Sequence, residues 1–275
     1  MTLLPRTWMF TPGSRPDRFD KAVATSADAI ILDLEDAVLE AEKPQARDHV
    51  LAFLKQRARG STRIVVRINS VRRRVGIEDL IALTGSEQAP DYILLPKVEE
   101  PADLGMVADV MTDAGCGSQL IALLESARGV ANAAAIASAS SRLNAIMFGA
   151  ADYAADLGLQ VQTMCADHAR GTIANACAAA GIIAIDSPHF SLDDMDSLET
   201  EARMARNIGF FGKALVHPKQ LPVIEAVFNP TPQERALAER ILQSSATGVS
   251  IVEGKMVDVA MVRWAQRIAQ PASTA

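Results

Sequence analysis

Residues 120–152 read LIALLESARGVANAAAIASASSRLNAIMFGAAD, and two short apolar runs in them set the pattern for the whole chain. Leu120 to Leu124 is apolar at every position, with no polar alternation, as a strand buried on both faces must be. Ala145 to Phe148 repeats the pattern. The acids that close the two segments, Glu125 and Asp152, lie 27 residues apart, the length of one βα unit. At that spacing the two carboxylates are expected at the same level on neighbouring strands, roughly 5 Å apart.

Six more runs of the same kind lie on either side: Thr7 to Phe10, Ala29 to Leu34, Arg63 to Ile68, Tyr92 to Leu95, Ile182 to Ile185 and Ala214 to Val216. Helical patterns separate them. Pro44 sits where a first-turn proline belongs, with Val50, Phe53 and Leu54 following at helical spacing. Pro101 opens a stretch whose Leu104, Val107, Ala108 and Met111 share one face. Gln162 to Ala180 is long enough for another helix, with Met164, Ile173, Ala176 and Cys177 toward the core. Eight βα units in about 230 residues predict a closed (β/α)8 TIM barrel, an α/β fold. The rival is an open doubly wound sheet, but no glycine-rich dinucleotide turn follows the first strand.

Residues 231–275 exceed what the barrel needs. Thr231-Pro232-Gln233-Glu234 has the form of a capping box and predicts a helix to about Ser244. GVSIVEGKMVDV then predicts a strand, a turn at Glu253-Gly254 and a second strand or helix start, before a last helix carrying Met261, Val262, Trp264, Ala265 and Ile268. The tail QPASTA reads as disordered.

The chain has 27 basic and 33 acidic residues, a formal charge of −6, which disfavours nucleic acid and anionic membrane as partners. An anionic substrate therefore needs a local basic site. At 49% apolar but only 4% aromatic, the core must be filled by aliphatic residues. Cys116, Cys165 and Cys177 fit neither a disulfide framework nor a paired metal spacing, which suits a reducing cytoplasm. No basic segment followed by an apolar stretch opens the chain, and no apolar run reaches 18 residues, so neither export signal nor membrane span is expected.

In a parallel barrel, function sits at the carboxyl ends of the strands. Just past the apolar runs stand Asp33, Glu35, Asp36, Arg67, Asn69, Lys97, Glu125, Asp152, Asp186 and His217. A ring of acids facing an arginine and a lysine is the layout of a metal site that handles an anion. Glu125 and Asp152, with open positions for water and substrate oxygens, suit Mg²⁺; His49, His168, His189 and His217 show no ligand spacing for a softer metal. The plainer reading makes Glu125 a helix cap and Asp152 an ion-pair partner. Arg67 interrupts an apolar strand, either as a structural partner or as a bidentate clamp on a substrate carboxylate. Lys97 either joins it at the substrate or pairs with Glu99 or Glu125. Gly149 and Gly13 permit close backbone approach beside the site.

FTPGSRPDRFDKAVATSADAIILDLEDAV, VVRIN, ILLPKVE, LIALLESARGV, FGAADYAADLG, GKALVHPKQL and EGKMVDVAMVRWAQRI, in that order, resemble the citrate lyase β-subunit-like family of the HpcH/HpaI aldolase superfamily. The resemblance spans nearly the whole chain. It implies a Mg²⁺-dependent barrel, a homotrimer or hexamer, that makes or breaks a carbon–carbon bond in citryl-, malyl- or citramalyl-coenzyme A through an enolate of acetyl-CoA or a homologue. It places the metal ligands on Glu125 and Asp152 and the substrate arginine on Arg67. Acids that hold water at the metal fall on Glu35 and Asp36, and a lid acid from a neighbouring subunit falls on Asp258. On this reading residues 1–230 are the catalytic barrel and 231–275 pack on the neighbour. Arg15, Arg18 and Lys21 would meet the coenzyme's phosphates, or simply form a solvated helix start. Two alternatives are a coenzyme A-independent class II aldolase giving pyruvate, and the β-subunit of a citrate lyase working on an acyl carrier protein. The sequence departs from the family after VVRIN, where SVRRRVGIEDL brings Arg72, Arg73 and Arg74 together as a solvated run or an anion contact. It departs again at IDSPHFSLDDMDSL, which bears on the acyl group.

Overall fold

Apolar runs four to six residues long, each followed by a helix, leave a chain one economical way to bury both strand faces: side by side and parallel, with the helices outside. The computed structural model, which describes residues 4–57, 60–245, 250–253 and 255–269, has that form. In chain order the elements are β1 (Thr7–Pro12), α1 (Phe19–Val23), β2 (Ala29–Asp33), α2 (Lys43–Gln56), β3 (Arg63–Arg67), α3 (Arg74–Thr84), β4 (Tyr92–Leu95) and α4 (Pro101–Asp113). There follow β5 (Gln119–Leu124), α5 (Ala127–Ala131), α6 (Ala133–Ala137), β6 (Leu143–Phe148), α7 (Ala150–Asp156), α8 (Asp167–Ala180), β7 (Ile183–Asp186), α9 (Met195–Ile208), β8 (Gly212–Leu215) and α10 (Leu221–Phe228). The chain ends with α11 (Pro232–Ser245), β9 (Ser250–Val252), β10 (Lys255–Val257) and α12 (Val259–Ile268). Strands β1 to β8 close in sequence order, all parallel, with β8 back on β1.

The strand pleat divides the core into two layers. Alternate residues, among them Ile31, Val65, Ile121, Leu123, Met147, Ile185 and Ala214, fill the barrel interior. Their neighbours, such as Leu120, Ala122 and Leu124, face the helices. Each fully buried aliphatic side chain contributes roughly 2 kcal/mol. Trp8 and Tyr92 close one layer edge to face, 5.9 Å between ring centroids.

Helix starts follow the expected chemistry. Pro44 and Pro101 stand in the first turns of α2 and α4, where Glu100 and Asp103 form a reciprocal box. In the C-terminal segment Thr231 N–H donates to Glu234 Oε2 at 2.7 Å and Glu234 N–H to Thr231 Oγ1 at 3.1 Å. One expected helix starts late. Instead of beginning at Gln162, α8 begins at Asp167, because the Gln160 carbonyl accepts from the N–H groups of both Thr163 and Met164 and holds a turn there. Ile173, Ala176 and Cys177 are buried as expected. Strands β9 and β10 pair antiparallel and, with α11 and α12, enclose a small core of their own around Ala238, Ile241, Val252, Val257 and Ala265. Gly254 and the QPASTA tail lie outside the described residues. Among the described residues no helix is long and apolar enough to cross a membrane.

Candidate active site

The pleat carries the polar residues onward from the strands. Ile31, Val65, Ile121 and Leu123 point into the barrel, so Asp33, Arg67 and Glu125 at the strand ends point the same way and surface together at its carboxyl mouth. There they line a cavity of about 460 Å³ with Asp36, Gly149 and Asp152. Asp33 and Arg67 are cross-strand partners in register. The Arg67 guanidinium grips Asp33 with Nε at 2.7 Å and Nη2 at 2.6 Å, and its Nη1 lies 3.2 Å from Glu35 Oε2. Its Cζ also stands 5.0 Å from the centroid of the Phe10 ring. The edge expected to clamp a substrate carboxylate bidentately is thus already held by a protein acid, and Nη1 is turned toward Glu35.

Glu125 is 4% exposed. It is not a helix cap, because Ser126 Oγ takes that role for α5, accepting from Gly129 N–H at 3.1 Å. Its Oε1 accepts the Lys97 backbone N–H at 2.7 Å. Its other side rests against Gly149, where an added Cβ would stand 2.5 Å from the Glu125 Cβ and 2.9 Å from Oε2. A glycine is required there. Burial first, then the nearby charges of Glu35 and Asp152, push the Glu125 carboxyl well above the usual carboxylate range, against the pull of Arg67 and the Lys97 N–H.

Lys97 has a φ of +54°, a left-handed conformation uncommon outside glycine, at the point where its backbone meets Glu125. Its Nζ pairs with Glu35 Oε1 at 2.8 Å and lies 3.7 Å from Asp36 Oδ1, so its ionic partners are neither Glu99 nor Glu125. Glu35 is buried, and burial raises its carboxyl although Arg67 and Lys97 pull it down; Oε2 is left without a hydrogen bond. For Arg67 burial acts against the charge, and Asp33, Glu35 and Glu125 outweigh it.

Asp152 differs from the expected position. Phe148 pairs with Leu124, so Gly149 is the residue level with Glu125, and Asp152 lies three positions on, in the first turn of α7. It reaches the cavity from a helix start, where the backbone dipoles favour an anion. It forms no ion pair among the described residues. Asp186 leaves the ring altogether: Ile185 faces inward, so Asp186 faces outward, fully buried between Arg170 of α8 (2.8 Å) and Lys213 of β8 (2.6 Å). His217 caps a short turn, its Nδ1 accepting from Lys219 N–H. The arginine run is paired: Arg72 with Asp103 and Glu99, Arg73 with Glu40, Arg74 with Glu78.

Some supporting groups carried no signal in the sequence. Behind the β2 loop, buried Lys43 Nζ donates to the carbonyls of Leu34 (3.3 Å) and Glu35 (3.0 Å) and to Asn69 Oδ1. Asn69 Nδ2 donates to Leu34 O and to Asp79, which also holds Arg47. This network fixes the backbone that presents Glu35. Asp79 lies on the buried face of α3, and Asn69 is the member of this network that stands just past an apolar run in the sequence. Apolar Phe10, Pro188, Phe190 and Val216, from β1, the β7 loop and β8, complete the cavity wall together with Leu123, Met147 and Phe148. Arg18 lines the cavity, whereas Arg15 is paired with Asp17 and Lys21 is exposed on α1. Asp258 is exposed, caps α12 through Met261 N–H at 2.8 Å, and does not line its own chain's cavity.

Glu35, Glu125 and Asp152 crowd one another with too little positive charge between them, which suits a divalent cation. Among the described residues no three His, Cys, Asp or Glu side chains form a ready cage, so Glu125 and Asp152 would supply two ligands and leave the other positions to water and substrate oxygens. The fold and this mouth define a barrel protein that handles an anionic substrate beside a hard metal ion.

Comparison with known proteins narrows the class. The family model described as HpcH/HpaI aldolase/citrate lyase matches residues 6–218, and the chain belongs to that family. It is 37% identical to the citrate lyase subunit beta-like protein of Mycobacterium tuberculosis, covering 98% of this chain and 96% of that one. It is 32% identical to the L-malyl-CoA/beta-methylmalyl-CoA lyase of Rhodobacter capsulatus, covering 99% and 96%. The crystal structure of CitE from M. tuberculosis in complex with magnesium, acetoacetate and coenzyme A superposes with a TM-score of 0.80 at 35% identity, over 98% of both chains.

Proposed function

We infer that the protein is a Mg²⁺-dependent carbon–carbon lyase acting on a small 3-hydroxyacyl-coenzyme A of the malyl, citramalyl or citryl type. The observation that carries this reading is Glu125, set beside Asp152 and Arg67 in one cavity, its carboxyl raised first by burial and then by its acidic neighbours. The relatives' names and the magnesium and coenzyme A bound to the CitE structure support it. Glu125 and Asp152 would hold the cation, and Glu35 and Asp36 would order water beside it. When bound, Mg²⁺ supplies a Lewis acid for the developing oxygen charge.

Arg67, locked by Asp33, would turn Nη1 from Glu35 to the substrate carboxylate, and the Lys97 ammonium, paired with the same Glu35, would join it there. As the hydroxyl proton leaves and the carbon–carbon bond breaks, the carbon next to the thioester needs a proton; in synthesis the same proton must be removed. Asp258 of a neighbouring copy is the group assigned to it, since Asp258 lies outside its own chain's cavity. Residues 231–275 would pack on that neighbour in a homotrimer or hexamer. Ile251 and Met256, cross-strand partners 74% and 68% exposed, support this as an apolar surface beside Asp258. Arg18, with Arg15 and Lys21, would meet the coenzyme's phosphates, and a reducing cytoplasm suits the three free cysteines.

The test is turnover of malyl-, citramalyl- and citryl-coenzyme A with and without Mg²⁺, with Glu125→Ala alongside. Metal-dependent release of acetyl-coenzyme A or its homologue, lost in the variant, is expected. Release of free coenzyme A instead would reveal thioester hydrolysis. No turnover of any thioester while Mg²⁺ binds normally would defeat the reading and favour a carrier-bound or coenzyme A-independent substrate.

A further inference from the structure

The acids at the mouth of the barrel come from one arc of its strands. Its acids and Arg67 come from β2, β3, β5 and the first turn of α7, whereas β7, β8 and β1 close the ring with Pro188, Phe190, Val216 and Phe10. Among the described residues, Arg67 and Arg18 are the cations lining the cavity. Asp33 holds two of the Arg67 nitrogens, and Arg18 stands exposed on the rim, in the turn before α1.

The apolar side is held rigidly. The Ser187 carbonyl accepts from Lys213 Nζ at 2.7 Å, and the His189 carbonyl accepts from Gln220 Nε2 at 2.7 Å. Gln220 Oε1 in turn accepts Val216 N–H at 3.0 Å, tying the β7 loop to the end of β8. The His189 ring is 2.8 Å from Glu201, whose other oxygen accepts from Arg170 and Lys213, both at 2.9 Å. Pro188 and Phe190 flank His189, so this buried network sets where they stand. The loop's backbone is thus fixed from both sides.

We propose that Pro188 and Phe190 of the β7 loop, with Val216, are the specificity wall of this site. They admit a hydrogen or a methyl on the hydroxyl-bearing carbon and reject a second carboxylate. The proposal rests on the lyase reading above and narrows it. The substrate class is a 3-hydroxyacyl thioester whose cleaved half is a 2-oxo monocarboxylate. Malyl- and citramalyl-type thioesters qualify, and the citryl type does not. The physical reason is that a second carboxylate would lie against proline, phenylalanine and valine without a fixed cationic partner, whereas a methyl gains by contact with them. Discrimination by an unpaired charge is far larger than discrimination by one methylene.

The experiment compares kcat/KM for malyl-, citramalyl- and citryl-coenzyme A in the wild type, Phe190→Arg and Phe190→Leu, with Mg²⁺ present. The wild type should prefer citramalyl- over citryl-coenzyme A at least a hundredfold. Phe190→Arg should shrink that ratio at least tenfold, and Phe190→Leu should retain it. Phe190 is half exposed, so both variants should melt like the wild type. A wild-type preference under tenfold, or a ratio that Phe190→Arg leaves unmoved, overturns the specificity wall while leaving the lyase reading standing. If no thioester turns over, the lyase reading fails, and calorimetry with Mg²⁺ decides the wall separately. Pyruvate binding more tightly than oxaloacetate, with the order reversed or levelled in Phe190→Arg, supports it, and equal binding in the wild type overturns it.

Discussion

Strands β2 to β6 and strands β7, β8 and β1 build one barrel from the same kind of apolar run, yet the two arcs end in opposite chemistry. The first arc delivers Asp33, Asp36, Arg67, Glu125 and Asp152 to the mouth; the second delivers Pro188, Phe190, Val216 and Phe10, with Arg18 on its rim. The second arc is not without charge. Arg170, Asp186, Glu201 and Lys213 lie behind it, but they face the helices and pair with one another. In the first arc the inward register at the ends of β2, β3 and β5 carries charges, whereas the strand ends of the second arc bring mostly carbon. Charge left incompletely paired at the mouth is available to a metal and a substrate, whereas charge fully paired behind the wall only holds it in place.

The strongest way to break this contrast is Glu125→Ala. On the lyase reading it should lower turnover a thousandfold or more and abolish Mg²⁺ binding by calorimetry while the barrel still folds. Activity within tenfold of wild type would mean that the acidic arc is structural. Lys43→Met sharpens the contrast from the supporting side. It leaves Asn69 Oδ1 and two carbonyls without their buried donor, so stability to urea should fall by about 3 kcal/mol. A loss under about 0.5 kcal/mol would show that the β2 loop holds itself. Gly149→Ala should cost about ten- to a hundredfold in kcat/KM, because its Cβ would displace Glu125, and lower the melting temperature by a few degrees.

The network behind the apolar arc should reveal itself through pH. Asp186 is fully buried, which alone would raise its carboxyl, but Lys213 and Arg170 hold it below the usual aspartate range. A folded-state value below the unfolded one means that the stabilisation is present above the unfolded value of about 4 and is lost as pH falls through the folded one. The melting temperature should therefore drop by a few degrees on acidification below about pH 4, and Asp186→Asn should lack that part of the fall. Identical acid profiles for the two proteins would remove Asp186 from the account. The smallest effect is expected from Arg72→Ala. That guanidinium is 46% exposed and paired with Asp103 and Glu99, so stability should move by less than about 1 kcal/mol and turnover not at all. A tenfold fall in turnover would instead put the arginine run on the substrate side.

Much of this site was legible. Strand ends placed Arg67 and Glu125 correctly, because a strand's side chains alternate and the apolar members already show which face is inside. The same parity, followed one strand further, would have removed Asp186 from the ring, since Ile185 must be the inward residue. Asp152 reaches the mouth by another route than counting predicts: 27 residues equate it with Glu125, but β6 ends earlier and the acid arrives on a helical turn. Lys43 was invisible, because a lysine in the first turn of a helix reads as solvated until the Leu34 and Glu35 carbonyls fold over it.

Local sequence determined the eight strands, the capped helices and the sign of the charge at each strand end, because periodicity, proline and capping boxes act over a few residues and need no distant partner. Only the closed barrel decided that Asp33 would lock Arg67 and that Gly149 would make room for Glu125. It also decided that Pro188 and Phe190 would line one cavity with the acids. These residues lie up to about 150 positions apart in the chain. Their contacts depend on strand order and register, and burial changes a group's charge preference only once its neighbours are in place.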